Sequence, residues 1–310
     1  KWSMEHEIRR IKYLRDWAKN RGIEFIDITS NVKIKKITHK DEKIRLFFDE
    51  VYQFKYTYSS HSNEIVNLFG VKLTHTSEII KRDGQWLISK DWYLDCFEDG
   101  MGAYSGQFAD NTIAKESKTS ATQSVNLYKT SLKRDMAVEY ANKYCGVDWA
   151  SGATGSYNKK YRNYNGIGGD CTNYISQCLG DEEGGGLNQD GTWFCHYSKF
   201  GGSNGSSAWV NAASFKNYLI YSGKGRLIAK GTYKQLTDQN SDGSSAVSKL
   251  QLGDIISYEK KGKIDHNAII TGFDSQGYPL VNTHTVDRYQ VPWDLGWGNK
   301  EIKFFLIHIK

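Results

Sequence analysis

The sequence predicts two folded α+β units joined by a linker. A chain of 310 residues exceeds the usual size of one domain, and a composition of 39% hydrophobic and 25% charged residues is that of a globular protein. In its first third, helical spacing is followed by strand-like alternation. A polar stretch without hydrophobic periodicity then separates this part from the remainder. We therefore predict domains at residues 1–108 and 126–310 and a linker at 109–125.

The first domain is predicted to hold one helix and a curved antiparallel sheet. Met4, Ile8, Ile11 and Trp17 recur at helical spacing and predict an amphipathic helix that packs through this face and ends near Gly22. Strand-like alternation follows in segments 25–28, 32–37, 44–58, 66–74 and 86–88. The pattern is similar to cone-shaped NTF-like or cystatin-like folds, and no catalytic set is evident in it.

The second domain begins with the most regular helical pattern in the chain. Leu132, Met136, Tyr140 and Tyr144 repeat every four residues, with Ser131 as a candidate N-cap. Polar, Gly-rich segments at 201–207 and 238–245 are predicted to be surface loops. Strands are predicted at 254–259, 267–273, 279–285 and 303–309.

Charge and hydropathy exclude several classes of protein. The net charge is +6 without a Lys/Arg cluster, which argues against a nucleic-acid partner and fits an anionic envelope surface. No run of 18 apolar residues occurs, so no membrane span is expected. The chain begins Lys-Trp-Ser, and we expect an extracytoplasmic, secreted or surface-attached monomer whose signal segment is not in this chain.

The cysteines are too sparse for a disulfide scaffold, and their number, five, is odd, so at least one thiol is unpaired. No Cys-x-x-Cys pair is present, which argues against zinc. Asp238–Gly243 resembles the start of a calcium loop, but Lys249 stands where a bidentate Glu is needed. We predict no metal site and no cofactor.

Cys171 is the candidate nucleophile because it follows the Gly168-Gly169 turn at the start of a predicted short helix. The unpaired N–H groups and the dipole at a helix start favour a thiolate, so we expect a Cys171 pKa lowered toward neutral. The same glycines are expected to let a substrate backbone approach the thiol.

His266, at the head of a predicted strand, is the candidate base. The turn at 274–278 would fold the next strand back with residue 284 opposite residue 266, and residues 282 and 284 would then share a face. A third polar group usually orients such a histidine. The residues leave both Asn282 and His284 open for this role.

The segment Gly169–Gln177, which reads GDCTNYISQ, resembles a known signature. It is similar to the Gly-Asp-Cys-Thr-Asn-aromatic-x-Ser-Gln motif of the amidase-domain family of Gram-positive bacteria, a relative of papain-like and CHAP-type wall hydrolases. The resemblance covers residues 126–310. One further matching block precedes the motif and four follow it in the family's order: Asp135–Tyr144, Ser207–Trp209, Gly253–Ile256, Asp265-His266 and His284-Thr285.

The resemblance implies a papain-like α+β fold and a cysteine-dependent amide hydrolase acting on peptidoglycan, as amidase or endopeptidase, through an acyl-enzyme. It favours His284 over Asn282 as the group that orients His266. Asp170 is expected beside the substrate or as a brace of the cysteine helix, Trp209 in a substrate groove, and Asn165 as a second donor to the oxyanion beside the Cys171 N–H. Two alternatives stay open: a non-catalytic envelope-binding or scaffolding module, and a protein-processing cysteine peptidase.

Overall fold

The computed structural model describes residues 2–40, 43–59, 65–102, 132–150, 156–197, 203–297 and 302–310. The chain divides into two compact units, one of Lys1–Glu116 with Leu295–Asn299 and one of Ser117–Asp294 with Lys300–Lys310. Both hold helices and antiparallel sheet, so the α+β class is confirmed. The predicted linker at 109–125 and the predicted N-cap Ser131 lie outside the described residues.

The first unit is a helix followed by four antiparallel strands in meander order, β1-β2-β3-β4. The tight turn between β3 and β4 is made by Asp83 and Gly84, both with positive φ, which is the type of turn that joins hairpin strands. Its elements are α1 Trp2–Lys19, β1 Ile23–Lys40, β2 Lys43–Tyr58, β3 Asn67–Arg82, β4 Gln85–Tyr93 and α2 Glu98–Gly102.

The buried face of α1 differs from the one predicted. Met4, Ile8 and Ile11 are 71%, 61% and 52% exposed. The opposite face is buried and includes two polar residues, His6 and Arg10, which lie 2.9 Å and 3.4 Å from the carboxylate of Asp95. Their common carboxylate partner offsets part of the cost of burying them. Met4, Ile8 and Ile11 therefore lie on the solvent side, whereas Trp17, the fourth residue of the predicted face, is buried as expected. The buried residues are His6, Arg10, Tyr13, Leu14, Trp17 and Ala18.

The second unit places its helices beside an antiparallel sheet of order β11-β10-β9-β8-β12-β7. Its helices are α3 Arg134–Lys143, α4 Cys171–Gly180, α5 Ser207–Val210, α6 Ala212–Tyr221 and α7 Tyr233–Thr237. Its sheet strands are β7 Gly225–Gly231, β8 Ile255–Lys260, β9 Lys263–Phe273, β10 Pro279–Thr283, β11 Asp287–Pro292 and β12 Ile302–Ile309. A separate two-stranded sheet is formed by β5 Cys195–Tyr197 and β6 Ser203–Gly205. Helices α3, α4 and α6 all contact β9, which positions the site described below.

The pairing of β9 with β10 differs from the expected register by one residue. Leu280 pairs with Gly272, but Val281 pairs with Ile270, so an irregularity in the ladder skips one residue of β9. Asn282 consequently faces Ile269. Because side chains alternate along a strand, a shift of one residue exchanges the face on which each side chain lies.

Cys171, Cys178 and Cys195 are buried thiols that form no disulfide. Among the helices in the described parts of the chain, none combines the length and the hydropathy needed to cross a membrane.

Candidate active site

The loop before Cys171 is shaped by glycines. Gly168 and Gly169 have φ of 120° and 106°, a region in which side chains are strained. A Cβ on Gly169 would lie 2.8 Å from Thr285 Oγ1. Thr285 Oγ1 also accepts a hydrogen bond of 3.0 Å from the Asp170 N–H. The structure therefore assigns Gly169 to the close approach of this loop to the end of β10, with Cys171 as the first residue of α4.

The Cys171 thiol lies against β9. It is only 7% exposed, accepts a hydrogen bond from the Asn267 backbone N–H, and lies 3.6 Å from Thr172 Oγ1. Burial raises the pKa of Cys171 and outweighs the lowering by three hydrogen bonds, from the Thr172 hydroxyl and from the backbone of Asn267 and of Thr172. The expected fall of the Cys171 pKa toward neutral is therefore not found. Desolvation disfavours the thiolate more than the helix start and the hydrogen-bond donors stabilise it.

His266 precedes Asn267 on β9 and is 8% exposed. Burial, with a smaller contribution from the positive charge of Arg288, lowers the pKa of His266 to about 3. The imidazole is therefore neutral at physiological pH and able to accept a proton. Cys171 and His266 are therefore both uncharged at neutral pH.

The hydroxyl of Thr283, at the end of β10, contacts the His266 ring. Thr283 Oγ1 lies 2.9 Å from His266 Nε2 and 2.8 Å from the Asn267 carbonyl oxygen. A hydroxyl has one hydrogen and a carbonyl oxygen only accepts, so both contacts are satisfied when Thr283 donates to Asn267 and accepts from Nε2–H. This arrangement leaves the basic lone pair of the neutral ring on Nδ1.

His284 makes two hydrogen bonds of its own. Its Nδ1 lies 2.8 Å from Asp170 Oδ2 and its Nε2 lies 2.7 Å from the Tyr144 carbonyl oxygen. Both partners, a carboxylate and a carbonyl oxygen, are hydrogen-bond acceptors. The rings of Tyr157 and Tyr174 stack on its two faces, with centroid distances of 3.9 Å and 3.8 Å. His284 is thereby enclosed in a buried pair with the Asp170 carboxylate.

Asp170 braces the loop and the cysteine helix. Besides His284, its carboxylate accepts from the Tyr164 backbone N–H and from Asn173 Nδ2, each at 2.9 Å, and the residue is 1% exposed. This carboxylate therefore ties together the loop before Cys171, the first turn of α4 and the end of β10. A role of Asp170 in binding substrate stays a prediction.

The other predicted residues have different surroundings. Asn282 is fully buried, accepts from Thr271 Oγ1 at 2.8 Å and donates to Asn142 Oδ1 at 2.9 Å. Trp209 is fully buried and donates through Nε1 to Asn173 Oδ1 at 3.1 Å. Asn165 is exposed and donates to Tyr157 Oη at 2.8 Å. Their catalytic and binding roles stay predictions.

Sequence reasoning missed Thr283 and Asn267, both of which touch the candidate pair. Thr283 lies between Asn282 and His284, so the relevant strand had been identified. The irregular pairing of β9 with β10 could not be predicted from the alternation of apolar and polar residues, and it brings Thr283 to His266.

The comparisons with known proteins agree with the family resemblance that the sequence blocks indicated. Residues 131–307 match the family described as "Putative amidase domain", and the chain belongs to this family. Membership of this family indicates hydrolysis of amide bonds. The chain is similar to the uncharacterized protein YhbB of Bacillus subtilis, with 29% identity over 181 residues, which are 56% of this chain and 49% of that protein. The match thus spans about half the length of that relative, and no solved structure matches the chain.

Proposed function

We propose that the second unit is a papain-like cysteine amide hydrolase with Cys171 as nucleophile and His266 as base. One observation carries this proposal: the Cys171 thiol is hydrogen-bonded to the backbone of Asn267, the residue that follows His266 on β9. A buried thiol that lies against the strand carrying a neutral imidazole, in a domain of an amidase family, supplies the groups that nucleophilic acyl transfer requires.

The mechanism starts from the uncharged thiol and imidazole. As the sulfur of Cys171 attacks the amide carbonyl carbon, the thiol proton passes to Nδ1 of His266, and the negative charge develops on the carbonyl oxygen. The Cys171 N–H, one of the first N–H groups of α4 without a partner inside the helix, is the donor proposed for this oxyanion. His266 then protonates the leaving amine, which leaves an acyl-enzyme thioester.

Water completes the cycle. His266 takes a proton from water as its oxygen attacks the thioester carbonyl, and the proton returns to the sulfur as the carboxylic acid leaves. Thr283 is the group proposed to hold the His266 ring in the required tautomer, in the place for which the sequence offered Asn282 or His284. His284 instead acts through Asp170, which positions Cys171.

The proposed substrate is cell-wall peptide outside the cytoplasm. The family resemblance and the net charge of +6, which fits an anionic envelope, support it. The test is mass analysis of defined muropeptides after incubation with the full chain, the Cys171→Ala variant and the control Cys178→Ala. Cys178 lies in the same helix and is fully buried, so the control makes the same chemical change at a second buried cysteine.

We expect new amine and carboxyl ends with the full chain and with Cys178→Ala, and none with Cys171→Ala. Equal release by the full chain and by Cys171→Ala would contradict the cysteine mechanism. Cleavage of ordinary peptides but not of muropeptides would indicate a protein-processing peptidase that uses the same cysteine mechanism.

A non-catalytic envelope-binding module is the second candidate, favoured by the 7% exposure of Cys171 and its raised pKa. An inert thiol is the ordinary state of a buried cysteine. This reading predicts binding to cell-wall sacculi that is unchanged in Cys171→Ala, with no fragment released by either protein. Fragment release would exclude it.

A further inference from the structure

The first unit contains a groove on one face of its sheet, with a volume of about 290 Å³. Apolar side chains from all four strands line it: Val32, Ile34, Leu46, Phe48, Ile79 and Ile88. Strand pairing places these residues on one face, since Ile34 lies opposite Phe48 and Phe48 opposite His75. The volume lies close to the lower end of small-molecule sites, which are apolar with a few polar groups.

One end of the groove is polar and contains a buried histidine. His75 Nδ1 lies 3.1 Å from Asp91 Oδ2, and Ser77 Oγ donates to Asp91 Oδ1 at 2.5 Å. The His75 side chain is 4% exposed, and its Nε2 has no hydrogen-bond partner among the described residues while lying 3.5 Å from Glu50 Oε2. A buried polar atom without a partner is uncommon in a native structure and calls for an explanation.

The charge of this end selects the kind of ligand. Although burial alone would raise it, hydrogen bonds from His75 and Ser77 hold the pKa of Asp91 below its usual value, so this carboxylate is ionised at neutral pH. Two carboxylates, of Glu50 and Asp91, face one imidazole, and no Lys or Arg is among the residues that line the groove. The end therefore carries net negative charge whether His75 is protonated or neutral.

We propose that this groove binds a small organic ammonium ion with an apolar tail. The ammonium group lies at Glu50 and Asp91, and the tail extends along the apolar residues toward Ile79 and Ile88. When His75 Nδ1–H donates to Asp91, the neutral ring presents a lone pair at Nε2, and an ammonium N–H held at Glu50 supplies this nitrogen with a donor. A fatty carboxylate of the same length is disfavoured by like charge.

The test is titration calorimetry of the full chain with octylammonium, 1-octanol and octanoate, each below its aggregation concentration. We expect 1:1 binding of octylammonium, with a Kd roughly tenfold or more below that of octanol, and no binding of octanoate. Glu50→Gln should weaken octylammonium binding about tenfold. The control Asp27→Asn removes the same charge from β1 at a residue that pairs with Lys55 and does not line the groove, and should leave the Kd unchanged.

Three results would overturn the proposal: absence of octylammonium binding, equal affinity for octanol and octylammonium, or equal weakening by Asp27→Asn and Glu50→Gln. A concentration-dependent dimer that Ile34→Asp abolishes would show that a second copy covers the groove. Because Glu50→Gln conserves shape at a half-buried position, circular dichroism should show a folded protein, and loss of affinity then reports on the groove.

Discussion

His75 with Asp91 in the first unit and His284 with Asp170 in the second are two aspartate–histidine pairs whose imidazoles lie between aromatic rings, and they differ in how far they are closed. In the second unit both nitrogens of His284 are hydrogen-bonded and the Asp170 side chain is 2% exposed. In the first unit one nitrogen of His75 bonds to Asp91, whose side chain is 22% exposed, and the other has no hydrogen-bond partner among the described residues. The same chemical pair thus braces a loop when every group is satisfied, and in the proposed groove it leaves one nitrogen open to a ligand when one group is not.

The largest expected effect comes from breaking the closed pair. Asp170→Asn removes the carboxylate partner of the His284 ring, which is buried between two tyrosines. We expect the free energy of unfolding of the second unit to fall by about 3–5 kcal/mol. Urea unfolding followed by tryptophan fluorescence measures it. If Asp170→Asn lowered the free energy of unfolding no more than Asp91→Asn does, burial of the pair would not contribute to stability.

The stability of the two units is expected to respond differently to acid. The folded pKa of His266, about 3, lies below its ordinary value of 6.5, so the unfolded chain binds a proton first as pH falls through 6.5. Stability of the second unit is therefore lost between about pH 6.5 and 3, by roughly 2 kcal/mol at pH 5. The lowered pKa of Asp91 stabilises the first unit above its ordinary value of 3.8, and that contribution is lost only below it. Thermal unfolding at pH 7 and pH 5 should show the shift, and His266→Gln should remove it.

Hydroxyl groups beside each site give a matched pair of variants. Thr283→Val removes the acceptor for His266 Nε2–H, and we expect kcat/KM for a muropeptide to fall about tenfold, while Thr283→Ser retains most activity. Ser77→Ala removes the hydroxyl that donates to Asp91 in the first unit and should leave kcat/KM unchanged. Full activity of Thr283→Val would rule out Thr283 as the residue that orients the ring.

The smallest effect is expected from breaking the open pair. Asp91→Asn should lower the stability of the first unit by about 1 kcal/mol or less, because the carboxylate is partly in water. Unfolding of this variant beside Asp170→Asn gives the direct comparison. A loss of about 3 kcal/mol or more would mean that the first pair is as closed as the second.

Much of the fold was readable from local patterns. The predicted strands at 44–58 and 254–259 correspond to β2 and β8. The buried face of α1 was predicted wrongly, because Asp95 lies far along the chain and its pairing with His6 and Arg10 leaves no local signal. Similarly, β11 was missed, since its residues Asp287–Pro292 lack a regular alternation of apolar and polar types.

The sequence by itself determined the candidate nucleophile: the glycines before Cys171 and its position at a helix start are local features of the chain. Tertiary structure alone decided what surrounds it. Because β9 and β10 pair with an irregular register, Thr283 reaches His266, and because α4 is buried, the pKa of Cys171 rises instead of falling. Register and burial depend on contacts between distant residues, so neither can be fixed by the order of residues around Cys171.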